Sequence, residues 1–433
     1  MTSKLSDPSL AIVFAYAPAG LGHLRVSDAL RHGPPESSEP ILLPARGESI
    51  RVIHRFTSLN PYARGIMEWA QSGVMENIIT KIYRRILLSD AKELEEQLFE
   101  ILKQRVELPK TLLLVASHFG IAHQIGAMKR NLAERAGVKV LVVMQVTDDS
   151  PQHIWYVPGT DITFVPSEYT KEALTVYGKQ SHLPPVHFEV LPYPLSPELS
   201  KHLSSEAYQK RLEQYDPKKQ TPVSIAVPIS GAAVGVNFAV MLLMELHKLS
   251  SRYHFSLVAK RNVFADVMLE RVEHLPYVQT STSHSDRQIV ELYESAYTQN
   301  VISLEVTKPS EQSFKAMLHS REVGGAILLF STPVGRQEYD NLKFLQRHQL
   351  IPTSEEQTLL FAQQNPLLEI AKHWRGIRIP DDPIAAAKFI FWCHEQKIFQ
   401  AMAGAHAKAD DINPHEVGDD GVAKFWKRVE ELL

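Results

Sequence analysis

The chain has 433 residues, with 46 Lys and Arg against 49 Asp and Glu, a formal net charge of -3, and 44% hydrophobic residues. That balance fits a globular protein of two or three domains, each large enough to bury a substantial core. It excludes a nucleic-acid binder that works by bulk positive charge. A single cysteine, Cys393, excludes intramolecular disulfides and cysteine-based zinc clusters.

No apolar run approaches the roughly 20 residues that a membrane-spanning helix needs. The opening segment MTSKLSDPSL lacks the longer apolar stretch and small-residue cleavage site of a secretory signal. The expected location is cytoplasmic. A peripheral contact at the inner face of the membrane stays open, because it needs a surface patch and not a span.

Apolar, β-rich runs alternate with helical periods from the start. Ile12 to Ala17 reads as a buried strand, followed by a glycine-rich turn and a helix from about Leu24 to Leu30. Thr111 to Ala116, Lys139 to Gln145, Asp161 to Pro166 and Glu189 to Pro192 read as further strands, with helices predicted at about Ala122–Ala136 and Ser167–Tyr177. Continuous apolar strands alternating with helices imply a parallel sheet covered on both faces, a doubly wound α/β domain of Rossmann type. Within it, residues 60–88 form a helical, amphipathic insertion in which Tyr62, Trp69, Ile78, Ile82 and Tyr83 stand beside Lys81, Arg84 and Arg85. That insertion reads as a packed helix pair, or as a lid or lipid-facing element.

The Pro-rich stretch Pro192 to Pro197 and the polar stretch that follows place a linker at 199–220, after a first domain over 1–198. The pattern restarts with predicted strands at Val223–Ile229, Phe255–Ala259, Val301–Val306 and Gly325–Phe330, and ends in helices at Ala385–Lys397 and Val422–Leu433. A second α/β domain over 221–433 follows, with the C-terminal helices assigned to it. Two such domains are expected to face a cleft, with ligands beyond the carboxyl ends of the strands.

The loops after the strands carry the candidate chemistry. Gly20, Gly22 and His23 close the first strand and open a helix, where backbone amides attract anions and a neutral imidazole can act as a general base on a hydroxyl. Asp148, His153 and Trp155 follow the Lys139–Gln145 strand and make a polar, aromatic-walled loop, with His118 after a neighbouring strand. The spacing of these histidines and Asp148 matches no ligand pattern, so no metal is expected. In the second domain, Ser230, Gly231 and Gly235 form a small-residue turn with room for a diphosphate at a helix start. Lys260, Lys308 and Ser310 close two further strands, and Gln337, Glu338 and Asn341 offer carboxylate and amide groups to sugar hydroxyls.

Taken together these loops resemble those of GT-B glycosyltransferases of the monogalactosyldiacylglycerol synthase kind. They are more distantly similar to the peptidoglycan enzyme that adds N-acetylglucosamine to a lipid-linked muramyl peptide. The resemblance covers about residues 10 to 350. Its most specific element is Thr147, Asp148, His153 and Trp155, continued by Asp161 to Ser167, and Tyr193-Pro194 looks like the family's hinge. The resemblance implies transfer of a hexose from a nucleotide sugar, UDP-linked in that family, to a lipid or glycan acceptor. It implies no cofactor beyond the UDP-sugar donor itself. His23 would activate the acceptor hydroxyl. Gly20, Gly22, Ser230, Gly231, Gly235, Lys260, Lys308, Ser310, Gln337, Glu338 and Asn341 would line the donor and its diphosphate. Two positions depart from the pattern: Ser310 stands where the family has Gly, and Ala316 where it has the acid that holds the ribose. The alternatives are therefore a non-catalytic binding protein with an eroded donor site, or a nucleotide-sugar epimerase or hydrolase.

Overall fold

The computed structural model describes residues 3–16, 21–35, 38–44, 73–89, 91–105, 107–229, 235–330, 333, 335–404 and 413–433. The chain divides into two compact units, Met1–Ser196 with Asp420–Leu433, and Pro197–Asp419.

The first unit is built on six parallel strands: β1 (Leu10–Tyr16), β2 (Ile41–Pro44), β3 (Thr111–Ala116), β4 (Lys139–Gln145), β5 (Ile162–Val165) and β6 (Phe188–Val190), in the order β2-β1-β3-β4-β5-β6. Residues Leu10 to Ala15 of β1 are all buried, because helices cover both faces of the sheet and leave no solvent side for alternation. The chain runs from β1 to β2 in one direction and returns to β3 on the other side of β1. The crevice between the ends of β1 and β3 is therefore the topological switch point, where doubly wound sheets bind ligands.

The second unit has strands β7 (Val223–Pro228), β8 (Tyr253–Lys260), β9 (Val278–Ser283), β10 (Leu304–Thr307), β11 (Ala326–Leu329) and β12 (Gly376–Arg378). All pairings are parallel and the order is β12-β11-β10-β7-β8-β9. Read outward from β7, this is the dinucleotide-fold order, with its switch point between β7 and β10.

The expected α/β class with two Rossmann-like domains is observed, and two boundaries are corrected. The stretch 199–220 is not a free linker, because it contains the helix Ser205–Tyr215. Gln214 on that helix takes Ser224 N–H and Ser303 Oγ on its Oε1, and Tyr215 O–H donates to Ser303 O. The polar composition of this helix hides it, because Arg211 and Gln214 are among the residues it buries. The helix Gly421–Leu432, assigned above to the second domain, packs on the first unit. Trp426 Nε1 donates to Leu30 O at 2.7 Å, and the Trp426 ring meets Phe14 edge-on at 6.1 Å. Gly421 is needed there, since a Cβ would lie 2.4 Å from Pro192 O.

Candidate functional site

Each unit carries a group of side chains at the carboxyl end of its sheet, and each group is described by itself. In the first unit, β1 feeds the helix Leu21–Arg31, which presents His23 in its first turn. His23 Nδ1 lies 2.7 Å from Ser117 O, just past β3. A carbonyl can only accept, so Nδ1 carries the proton, and in the neutral ring Nε2 holds the basic lone pair. Thr147 Oγ1 sits 3.4 Å from the same Nδ1 and 3.4 Å from Asp148 Oδ2, both at the weak end of hydrogen bonding. Ser117 is held in turn, its Oγ donating to His23 O at 2.9 Å and lying 2.9 Å from Ser27 Oγ.

Aromatic rings wall this group. His118 meets His23 edge-on at 4.6 Å, and Trp155 lies 6.4 Å from it with Phe119 edge-on to the indole at 5.3 Å. His118 is also the N-cap of the helix Phe119–Ala136, with its Nδ1 accepting Gly120 N–H at 3.0 Å. The Trp155 indole N–H is buried and has no acceptor among the described residues.

The structure therefore brings His23, Asp148, His118 and Trp155 into one neighbourhood and gives His153 a different set of partners. His153 stacks on Tyr177 at 3.8 Å with the rings 7° from parallel, and its backbone N–H donates to Glu76 Oε1 at 2.8 Å. Asp149, one residue past Asp148, is structural: Thr170 Oγ1 donates to it at 2.8 Å and Ser167 Oγ also bonds it, fixing the start of the helix Glu168–Gln180.

Glu76 belongs to the inserted helix Gly73–Ser89, whose inner face reaches this loop. Arg84 Nη2 donates to His153 O at 2.7 Å and Tyr156 O at 2.9 Å. Burial pulls the guanidinium's pKa down, partly offset by Tyr177. On the outer face Ile78, Ile82 and Ile86, at four-residue spacing, are exposed together with Lys81 and Arg85. Tyr62 and Trp69 of the insertion lie outside the described residues, as does Gly20. Among the described residues, no helix is long and apolar enough to cross a membrane.

In the second unit, Gly235 opens the helix Val236–Leu249 at φ 83°, a conformation that glycine alone adopts freely, and a Cβ there would strike the Phe330 ring at 2.5 Å. Ser230 and Gly231 lie outside the described residues. The β10 loop is fastened from three sides. Lys308 Nζ pairs with Glu338 Oε1 at 2.6 Å, Asn341 Nδ2 donates to Pro309 O at 3.2 Å, and Ser313 Oγ donates to Ser310 O at 2.7 Å. Lys308, Ser310, Glu338 and Asn341 are thus joined in one framework, and Gln337 is half-buried beside Glu338 at the start of the helix Arg336–Arg347. Lys260 ends β8 and pairs with Asp286 at 2.8 Å.

Ala316, the position that departs from the acidic pattern, is fully buried in the short helix Glu311–Met317. Beside it Lys315 is buried against Glu305, with Tyr293, Tyr297 and Gln312 completing the bonds of the pair.

Ser117 and Glu76 escaped the sequence reading, and Arg84 entered it only as a basic residue of the insertion. Ser117 contributes a backbone carbonyl, which leaves no side-chain signature. Glu76 and Arg84 come from an insertion whose register against the sheet only tertiary structure provides.

No protein-family model matches the chain, and no curated protein matches it significantly. Solved structures do. A co-structure of S. aureus MnaA with UDP is similar at 9% identity and TM-score 0.50, over 98% of this chain and 96% of that one. A crystal structure of UDP-GlcNAc 2-epimerase from Neisseria meningitidis bound to UDP-GlcNAc matches at 10% identity and TM-score 0.48, over 97% and 100%. Acinetobacter baumannii MurG matches at 10% identity and TM-score 0.45, over 97% and 99%. At these identities the likeness is one of fold: two Rossmann-like units, as in GT-B proteins.

Proposed function

We propose that the protein is a glycosyltransferase that moves a hexose from a UDP-sugar to a lipid or glycan acceptor. The observation that carries this reading is the His23 ring. Its Nδ1–H is committed to Ser117 O, so its basic nitrogen is Nε2, in the first turn of a helix at the switch point of the sheet. That is the arrangement a general base needs to take a proton from an acceptor hydroxyl. The unsatisfied Trp155 N–H supplies a donor for an acceptor oxygen in the same neighbourhood.

The donor would bind at the corresponding switch point of the second unit. Backbone amides at the start of Val236–Leu249 and the Lys308 ammonium would neutralise the leaving diphosphate, the electrostatic contribution that usually dominates such reactions. Glu338, now held by Lys308, would exchange that partner for sugar or ribose hydroxyls when diphosphate takes the lysine. Asn341 holds the loop that carries Lys308. Transfer further requires that the acceptor and donor groups meet around the bound substrates.

The finer assignment, to the monogalactosyldiacylglycerol synthase or N-acetylglucosaminyl transferase kind, rests on the Thr147–Trp155 segment. The MnaA co-structure supports UDP as the nucleotide, since that protein of like fold is a UDP complex. A peripheral contact with a lipid surface through the exposed Ile78, Ile82, Ile86, Lys81 and Arg85 fits a lipid acceptor.

A second reading has its own support. Lys308 and Lys260 are both already neutralised, by Glu338 and Asp286, and Ala316 offers nothing to a ribose. Loss of a carboxylate–ribose bond costs about 1.5–3 kcal/mol, or about ten- to a hundredfold in affinity. These features fit a binding protein that kept the fold without turnover. Calorimetric titration with UDP and UDP-hexoses, followed by an assay of UDP release with lipid extract as acceptor, separates the readings. Binding with release supports transfer, whereas no binding at millimolar ligand rejects transfer and fits the second reading.

A further inference from the structure

The turn Ser117-His118-Phe119-Gly120, which joins β3 to the helix Phe119–Ala136, grips His23 at more than one point. The grip is reciprocal. The His23 side chain donates through Nδ1 to Ser117 O at 2.7 Å, and the Ser117 side chain donates through Oγ to His23 O at 2.9 Å. Ser117 is fully buried, and its Oγ lies 2.9 Å from that of buried Ser27, one turn further along the helix Leu21–Arg31. The paired bonds therefore fix the carbonyl that receives the His23 proton as well as the ring that gives it.

His118 acts from the other side. Its Nδ1 stands on Cγ as the amide oxygen of an asparagine does, and like an asparagine at an N-cap it accepts a backbone N–H, that of Gly120 at 3.0 Å. A ring nitrogen that accepts carries no proton, so neutral His118 has its proton on Nε2. His23 has its proton on Nδ1. The two rings, edge-on at 4.6 Å and 80°, are thus held in opposite tautomers. His118 is 4% exposed and stacks on Phe119 at 4.4 Å, and a Cβ at Gly120 would press on His118 Cε1 at 3.0 Å. Its ring is a fixed wall beside His23. A proton added to His118 Nδ1 would break the cap, whereas one added to His23 Nε2 leaves the bond to Ser117 O in place.

We propose that Ser117 and His118 are positioning residues that lock His23 in the tautomer with its basic lone pair on Nε2. The consequence for catalysis rests on the reading of His23 as the base; the lock itself does not. A half-turn of the His23 ring would set a carbon against Ser117 O, and the alternative tautomer would set two acceptors face to face. The reciprocal bonds oppose the second and the His118 wall opposes the first. A base held in one orientation and one protonation state needs no rearrangement before it takes a proton.

The test is NMR of the full chain with isotopically labelled histidine ring nitrogens, at a pH where the rings are neutral. Signals are assigned by their loss in His23→Asn and His118→Asn. Wild type should show His23 only as the Nδ1–H tautomer and His118 only as the Nε2–H tautomer. His118→Asn keeps a capping oxygen, and Ser117→Ala removes only a hydroxyl. In each, His23 should become a mixture of tautomers, and turnover in the UDP-release assay should fall about tenfold or more with KM for the UDP-sugar unchanged. Should Ser117→Ala not fold, the wild-type tautomers and His118→Asn still decide. Mixed tautomers without loss of turnover support the lock and reject His23 as the base. The opposite tautomer at either wild-type ring, or a His23 that stays in a single tautomer in either folded variant, overturns the proposal and leaves the base assignment standing.

Discussion

Replacement of His23 separates chemistry from architecture. An asparagine at this position keeps an N–H able to reach Ser117 O, now bonded to Nδ1 at 2.7 Å, but has no basic nitrogen where Nε2 stands. Ser117 keeps its Oγ bonds to His23 O and Ser27 whichever side chain occupies position 23, since one uses backbone and the other a different residue. Even complete loss of the Nδ1 bond costs about 0.5–1.5 kcal/mol, a few degrees in midpoint for a protein of this size. The catalytic loss should be far larger. A positioned general base contributes about 10²–10⁴ in rate, equivalent to about 2.7–5.4 kcal/mol of barrier. His23→Asn should therefore bind UDP as the wild type does, unfold within a few degrees of it, and release UDP at least a hundredfold more slowly in the presence of acceptor. A continuous UDP-release assay beside a thermal melt reads both. A folded His23→Asn protein that turns over within threefold of wild type would refute the assignment of His23 as base.

Three further outcomes follow from the packing. Lys315→Met leaves Glu305 fully buried without its cation and should destabilise the second unit by about 3–5 kcal/mol in urea unfolding, whereas Lys315→Met with Glu305→Leu should recover much of it. Burial lowers the pKa of His123 from 6.5 to about 3 and that of His394 from 6.5 to about 4. The folded chain refuses protons that the unfolded chain accepts, so this stability is complete above pH 6.5 and falls as the pH drops toward 3 and 4. At pH 5 each unit should have lost about 2 kcal/mol from its histidine, measurable by urea titration followed through tryptophan fluorescence. Trp426→Ala should destabilise the first unit by about 3–5 kcal/mol and leave the second unit's unfolding unchanged, because the indole packs on Phe14 and bonds Leu30 O. A loss confined to the second unit would contradict the placement of the last helix.

The legible parts of the fold were those where one physical signal dominates. The strands Thr111–Ala116 and Lys139–Gln145 match the sequence reading residue for residue, because central strands buried on both faces are unbroken apolar runs flanked by polar residues. The missed strands β2, β9 and β12 are all sheet edges. β9 reads Val-Gln-Thr-Ser-Thr-Ser, with only Val278 buried, so no apolar run marks it. The helix Ser205–Tyr215 was hidden for a related reason: its buried residues Arg211, Gln214 and Tyr215 are mostly polar and satisfied by distant carbonyls and hydroxyls. At the site, the loops were legible as loops after strands. The partners of each side chain were not. That His23 is oriented by a carbonyl, and that Glu338 pairs with Lys308, depends on which strand ends lie side by side. The strand order decides that, and no local motif records it.

The most direct measurement is amide hydrogen exchange of the full chain with and without saturating UDP. Nucleotide held at the switch point of the second unit should slow exchange in residues 235–240, 307–316 and 335–341 and leave the strands of the first unit unchanged. Exchange unaltered in all three segments at millimolar UDP, or protection confined to other parts of the chain, would contradict the nucleotide-sugar reading at its root.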